Sequence, residues 1–190
     1  FISERVTQLR KWRIKFVQLD ILDKNGIKPI IEKADIIHHL AGVTDVAYVQ
    51  SDVNEARDEL IKKTAISGTQ NILDNMKNNA KIIFPSTHVV FEGLKETVEN
   101  LEEKHTPSTF LAYSTSKLNN ENQIKRSNKN YIILRLGSVY GYSTDTMRIN
   151  IMPNLFSKKA SQDDTIKLFS GGKQLKSLVP LIDVARCFKF

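Results

Sequence analysis

Short apolar runs alternating with helical stretches constrain this chain more than any other feature. Ile14–Leu19 (IKFVQL, ending at Asp20), Asp35–Leu40 (DIIHHL), Lys81–Phe84 (KIIF), Tyr131–Leu136 (YIILRL) and Ile166–Phe169 (IKLF) are β-rich and too short for buried helices. Runs apolar on successive residues suit strands buried on both faces, as a parallel sheet requires. Between them, Asn54–Met76 brings Leu60, Ile61, Ala65, Ile72, Leu73 and Met76 near helical spacing, and Tyr113–Ser127 sets Leu118 and Ile124 on one side. Strand, helix, strand in that order predicts right-handed crossovers and the α/β class, a doubly wound parallel sheet. Glu92–Ser108 is polar, acidic and without period, and reads as a long loop.

The 190 residues suit one domain, and 41% hydrophobic with 26% charged residues excludes disorder. No apolar run approaches the ~20 residues of a membrane-spanning helix. The net charge of +7 is spread along the chain, so it reads as a solvated basic surface, with neither nucleic acid nor membrane as partner. Cys187 is the single cysteine, which excludes an internal disulfide and fits a cytoplasmic protein. A sheet of this kind that binds a dinucleotide opens with a strand, a G-x-x-G-x-x-G loop and a helix. The eight glycines here form no such set. That unit is expected about 30 residues upstream of Phe1, and the pattern stops a few residues into a helix at Phe190. The expectation is therefore a piece of a longer protein.

The densest chemistry lies in Tyr113-Ser114-Thr115-Ser116-Lys117. Residues four apart share a helix face, so a phenol and an ammonium converge. The cation stabilises the phenolate and makes the tyrosine a usable acid/base. Alone, this pattern is equally an exposed helix pair.

Its surroundings carry a resemblance. Tyr113–Glu121 (YSTSKLNNE) resembles the Y-x-x-S-K-L-x-x-E run of extended short-chain dehydrogenase/reductases of the nucleotide-sugar epimerase/dehydratase type. Phe84–Gly93 (FPSTHVVFEG) resembles their strand end bearing a catalytic Ser or Thr, and Leu134–Gly141 (LRLGSVYG) their L-R-x-x-N-V-Y-G. Leu19-Asp20-Ile21 resembles G-D-I/L, His39–Gly42 H-L-A-A/G, Gly68–Leu73 G-T-x-N-L-L, and Gly172–Ala185 G-x-Q-x-R-x-F-V-H-V-D-D-V-A. Seven segments in family order span nearly the whole chain.

The resemblance implies a Rossmann-like sheet lacking its first strand–glycine loop–helix unit and most of a C-terminal substrate domain. Residues 1–150 would be a partial NAD(P)-binding domain, and 151–190 the start of the substrate-binding region. It implies Tyr113 as acid/base, Lys117 holding the ribose hydroxyls and tuning Tyr113, and Thr87 as the hydrogen-bonding hydroxyl. Asp20, Ile21, Leu40, Ala41 and Gly42 would contact the cofactor, with Tyr113 and Lys117. Thr87, His88, Ser138 and Lys176 would face a nucleotide-sugar substrate. No metal is implied, and a homodimer through the two long helices is. The cofactor would be NAD, or NADP if Arg5 rather than Glu4 reads the adenosine ribose at a strand end near Phe1–Arg5.

Departures sharpen the reading. His88 and Val89 stand where sugar dehydratases carry acidic residues, so loss of water is not expected, and His88 is read as a partly buried strand-end histidine, with a substitute acid as the alternative. Glu92 replaces the glycine of V-Y-G, Ala65 an Asn, Ser138 another Asn, and Lys176 an Arg, keeping charge without the planar fork. Pro180 takes a His or Tyr position. The leading expectation is a nucleotide-sugar 4-epimerase working through a keto-sugar. The Val90-Phe91 spelling favours an NADPH-dependent keto-sugar reductase as the alternative. Ala65 and Pro180 favour a non-catalytic dinucleotide-binding protein, against the intact Thr87, Tyr113 and Lys117. The 190 residues alone are expected to be inactive.

Overall fold

A computed structural model describes residues 2–44, 54–142, 148–173 and 175–189. In chain order the elements are α1 (Ile2–Lys11), α2 (Lys24–Ile31), β1 (Ile36–His38), α3 (Glu55–Asn75), β2 (Lys81–Thr87), α4 (Ala112–Arg126), β3 (Asn130–Leu136), β4 (Ser138–Tyr140), α5 (Met152–Ser161), β5 (Leu178–Pro180) and α6 (Leu181–Lys189). Packing divides them into two units: Leu19–Leu136, and Phe1–Gln18 with Gly137–Phe190. That division differs from the functional boundary expected at residue 150.

The first unit is a parallel three-stranded sheet in the order β1-β2-β3. Ile36 to His38 pair with Lys81 to Ile83, and Lys81 to Thr87 pair with Asn130 to Leu136. Central β2 buries Ile82 and Phe84 almost completely. They pack with Ile37, Ile72, Leu73 and Ile124 into one core, drawn from β1, α3 and α4. Each such side chain contributes about 1.5–3 kcal/mol on burial. Pro85 sits inside β2, where a missing N–H normally weakens a ladder.

The helices start where their sequences supply a cap. Asn54 Oδ1 accepts from Arg57 N at 3.0 Å at the head of α3, and Asp23 Oδ1 from Gly26 N at 2.9 Å at the head of α2. The expected helices 54–76 and 113–127 are thus found within two residues of their limits. Helix α4 departs from an apolar stripe: its buried face carries Ser114, Ser116, Asn120 and Glu121 beside Ile124. A polar face can be buried only if its groups are hydrogen-bonded.

The second unit holds the parallel pair β4–β5, with Ser138 opposite Leu178 and Tyr140 opposite Pro180. Two expected strands are absent. Ile14, Phe16, Val17 and Leu19 are 42–47% exposed and lie in no ladder. A β-rich run becomes a strand only where a neighbour takes its backbone hydrogen bonds. Ile166–Phe169 leads instead into a 3₁₀ turn, Phe169–Gly172, whose Gly171 and Gly172 have φ of +67° and +73°. The expected strand end near Phe1–Arg5 is also overturned, since Glu4 lies in the first turn of α1. Gln174, within the last motif, lies outside the described residues.

Candidate active site

Parallel sheets collect their functional groups at the carboxyl ends of the strands. At that end of β2, Thr87 is buried and its Oγ1 accepts from Val89 N at 3.2 Å, capping a 3₁₀ turn over His88–Phe91. Helix α4 faces it with Tyr113 and Lys117 one turn apart. The Lys117 ammonium donates to Pro85 O at 2.8 Å, lies 4.5 Å from the centroid of the Phe84 ring and 5.9 Å from that of Tyr113. Burial lowers the Lys117 pKa to about 8. One of its three N–H bonds is directed at Pro85, which leaves donors for a ligand. Lys117 thus stands beside the Tyr113 ring and the end of the strand that carries Thr87, groups of the kind that exchange a proton with an alcohol or ketone.

Beneath Lys117 lies a polar layer that sequence reasoning did not assign. His39, 3% exposed, meets Thr69 Oγ1 through Nε2 at 2.9 Å and tilts against Phe84 with ring centroids 5.4 Å apart. Asn120 Nδ2 reaches the same Thr69 hydroxyl at 2.9 Å and Ala65 O at 3.0 Å. Ala65, which stands at an Asn position of the family pattern, thus contributes its backbone carbonyl to this network. His39 Nδ1 is buried without a hydrogen-bond partner. Burial first, then the Lys117 charge, lowers the His39 pKa from 6.5 to about 4. In the unfolded chain this ring takes its proton near 6.5, whereas the folded ring stays neutral until about 4. Stability is therefore full above 6.5 and falls as pH drops towards 4, by about 3 kcal/mol from this group. Denaturation across that range should show the slope in the wild type, and His39→Gln should flatten it. Equal slopes in both would refute the assignment.

Glu121 joins the elements that carry the site. Its side chain is 1% exposed, and Arg135 on β3 grips it with Nε at 2.9 Å and Nη2 at 2.7 Å. Ser86 Oγ, one residue before Thr87, donates to it at 2.6 Å, and Lys125 stands at 3.3 Å. Burial alone would raise this carboxyl. The hydrogen bonds from Arg135 and Ser86 and the neighbouring cations together outweigh it and hold the pKa below the ordinary value. Glu121 was visible in the motif as a residue but not as the hub of α4, β2 and β3.

The other candidates fall in distinct places. Leu40, Ala41 and Gly42 follow β1 and are exposed, with open space where a Gly42 side chain would stand. Asp20 is exposed and accepts from Leu22 N at 2.9 Å, and the Ile21 carbonyl accepts from Asn71 at 2.9 Å. His88 is half-buried with Nδ1 3.0 Å from Leu136 O, as a strand-end histidine would be. Ser138 and the exposed Lys176 belong to the other packing unit, Ser138 N donating to Ser177 O at 2.7 Å. Among the described residues no cluster could hold a metal ion, and no helix is long and apolar enough to cross a membrane.

The chain is similar to known proteins in sequence and in fold. The chain is 30% identical over 158 residues to a probable low-salt glycan biosynthesis reductase of Haloferax volcanii, covering 80% of this chain and 50% of that protein. It is 26% identical over 178 residues to a UDP-N-acetyl-alpha-D-glucosaminuronate decarboxylase of Bacillus cytotoxicus, covering 90% and 54%. The chain thus spans about half the length of these curated relatives. The fold matches that of a mutant UDP-glucuronic acid 4-epimerase from Bacillus cereus in complex with UDP-4-deoxy-4-fluoro-glucuronic acid and NAD. The TM-score is 0.81 at 21% identity, over 98% of this chain and 58% of that one. The sequence pattern of NAD dependent epimerases/dehydratases runs through residues 2–190, so this parallel sheet, with its tyrosine and lysine one helical turn apart, belongs to the NAD dependent epimerase/dehydratase family.

Proposed function

We infer that the full-length protein is an NAD-dependent nucleotide-sugar epimerase, with Tyr113 as its acid/base. The observation that carries this reading is the Lys117 ammonium lying beside both the Tyr113 ring and the strand end that holds Thr87. Bound NAD would supply the hydride acceptor and donor. Lys117 would turn its remaining N–H donors to the ribose hydroxyls, while Asp20 and the open backbone of Leu40–Gly42 border the adenosine side. The glycine loop for the pyrophosphate is not in these residues, so their own affinity for the dinucleotide should be weak.

Tyr113 takes the proton of the sugar hydroxyl as the ring carbon is oxidised, and returns it when the keto-sugar is reduced on its other face. Lys117 holds the phenolate stable between these steps. Thr87 donates a hydrogen bond to the reacting oxygen. His88, Ser138 and Lys176 are assigned to the substrate, Lys176 to its phosphates, and the substrate-binding region to residue 151 onward. The functional protein is a homodimer in this reading.

A keto-sugar reductase is the second reading, favoured by the Val90-Phe91 spelling and by the reductase name of the Haloferax volcanii relative. Incubating the full-length protein with nucleotide sugars and both cofactors separates the two by mass. An isomer of unchanged mass supports the epimerase, and gain of two hydrogens by a keto-sugar supports the reductase. Loss of water would sink both, and cofactor binding without any turnover would leave a non-catalytic dinucleotide-binding protein.

A further inference from the structure

We propose that Glu92 is a positioning residue that ties the start of the helix carrying Tyr113 to the turn that Thr87 caps. The proposal rests on the reading of Tyr113 as acid/base. Helix α4 begins without a cap of its own: its N-cap is Leu111, which has no side-chain acceptor, and its first turn holds no acidic residue. The missing acceptor comes from elsewhere in the chain. Glu92 Oε1 accepts from Leu111 N at 2.9 Å and from Phe110 N at 3.2 Å, and the Ser114 hydroxyl donates to the same oxygen. In a capping box a residue of the first turn reaches back to the N-cap N–H. Here a carboxylate 19 residues upstream of Leu111 takes that part.

The consequence lies in what stands between those contacts. Tyr113 is flanked by Leu111 and Ser114, both tied to one oxygen atom, so the backbone that carries the phenol is held on both sides. The other end of Glu92 is fixed too. It closes the 3₁₀ turn that Thr87 caps, with Glu92 N donating to Val89 O at 3.0 Å. Next to it, Gly93 N donates to Ser108 O and Ser108 N to Val90 O, each at 2.9 Å. A side chain at Gly93 would press on the Ser108 carbonyl at 3.0 Å, so this close approach needs glycine. Glu92 is therefore the side chain that spans from the Thr87 turn to the Tyr113 helix. Proton transfer depends on sub-ångström placement of donor and acceptor, and small displacements cost rate without costing binding.

The test compares wild type, Glu92→Ala and Glu92→Gln in the full-length protein, at a temperature where circular dichroism shows all three folded. Glu92→Ala is expected to lower kcat about 10- to 100-fold, with KM for the nucleotide sugar changed by less than about threefold. Glu92→Gln keeps an oxygen that accepts the same N–H groups and should recover most of the loss. A purely structural role would lower the melting temperature and leave kcat of the folded enzyme alone. Unchanged kcat in Glu92→Ala with an active wild type overturns the proposal. A wild type without turnover refutes the proposed function instead, and the positioning role is then read from amide hydrogen exchange. Faster exchange across residues 110–114 in Glu92→Ala, restored by Glu92→Gln, supports it, and equal exchange in all three overturns it.

Discussion

Glu121→Ala is expected to cost this chain about 3–5 kcal/mol, because it leaves the half-buried Arg135 guanidinium without its main counter-charge. A domain of this size has only about 5–15 kcal/mol in total, so the loss is a large share of it and should lower the melting temperature by roughly 6–20 °C. Arg135 is 10% exposed in its side chain and would be left with the Glu103 carbonyl at 2.9 Å, the weaker attraction of the Glu103 carboxylate and the face of Phe91 at 5.2 Å. Ser86 would lose its acceptor in the same step. Urea denaturation followed by circular dichroism measures the loss directly. A shift below about 1 kcal/mol, the size of an exposed pair, would mean that Arg135 finds another partner and the hub is dispensable. The pH dependence offers a second check. The lowered carboxyl pKa means that stability from Glu121 is intact above the ordinary carboxylate value. It is lost as pH falls from the ordinary carboxylate value through the lower folded one.

Tyr113→Phe in the full-length protein should lower turnover by about 10²- to 10⁴-fold, the range that a positioned acid/base contributes. Substrate affinity should change little, since the ring and its packing remain. Steady-state kinetics with the nucleotide sugar identified by mass spectrometry gives kcat and KM separately. Retention of more than a tenth of wild-type turnover would move the proton chemistry elsewhere. His88 is poorly placed to inherit it, with Nδ1 held at the Leu136 carbonyl. Lys117→Met should reproduce the loss and also weaken NAD binding, because Lys117 has two parts in the proposed chemistry.

The elements readable from sequence were those whose signal is local. Ile36–His38, Lys81–Thr87 and Asn130–Leu136 stand out because two-sided burial leaves a run of apolar residues. Ile14–Leu19 has the same composition and fails, since a strand needs a partner and composition carries no information about one. Strands Ser138–Tyr140 and Leu178–Pro180 were invisible as strands because three residues hold no period. Tyr113 and Lys117 were legible because four residues separate them on one helix. Glu92 was legible only as a departure from glycine, since its partners lie 18 to 22 residues away. The layer of His39, Thr69 and Asn120 was hidden for the same reason: each is an ordinary polar residue until three elements bring them together.

The double clamp between Val90–Gly93 and Ser108 also bears on how this protein can change over time. Residues 94–107 leave and re-enter the fold at nearly one point, so their length is uncoupled from the geometry on either side. Closing a loop twice as long costs only about 0.6 kcal/mol of chain entropy. Leu94 to Lys104 are exposed, and Arg135 pins the stretch through the Glu103 carbonyl. Insertions there are cheap in stability and leave Thr87 and Tyr113 in place. This is the segment in which natural variation, or a designed library, could reshape the protein's outer surface while its chemistry stays fixed.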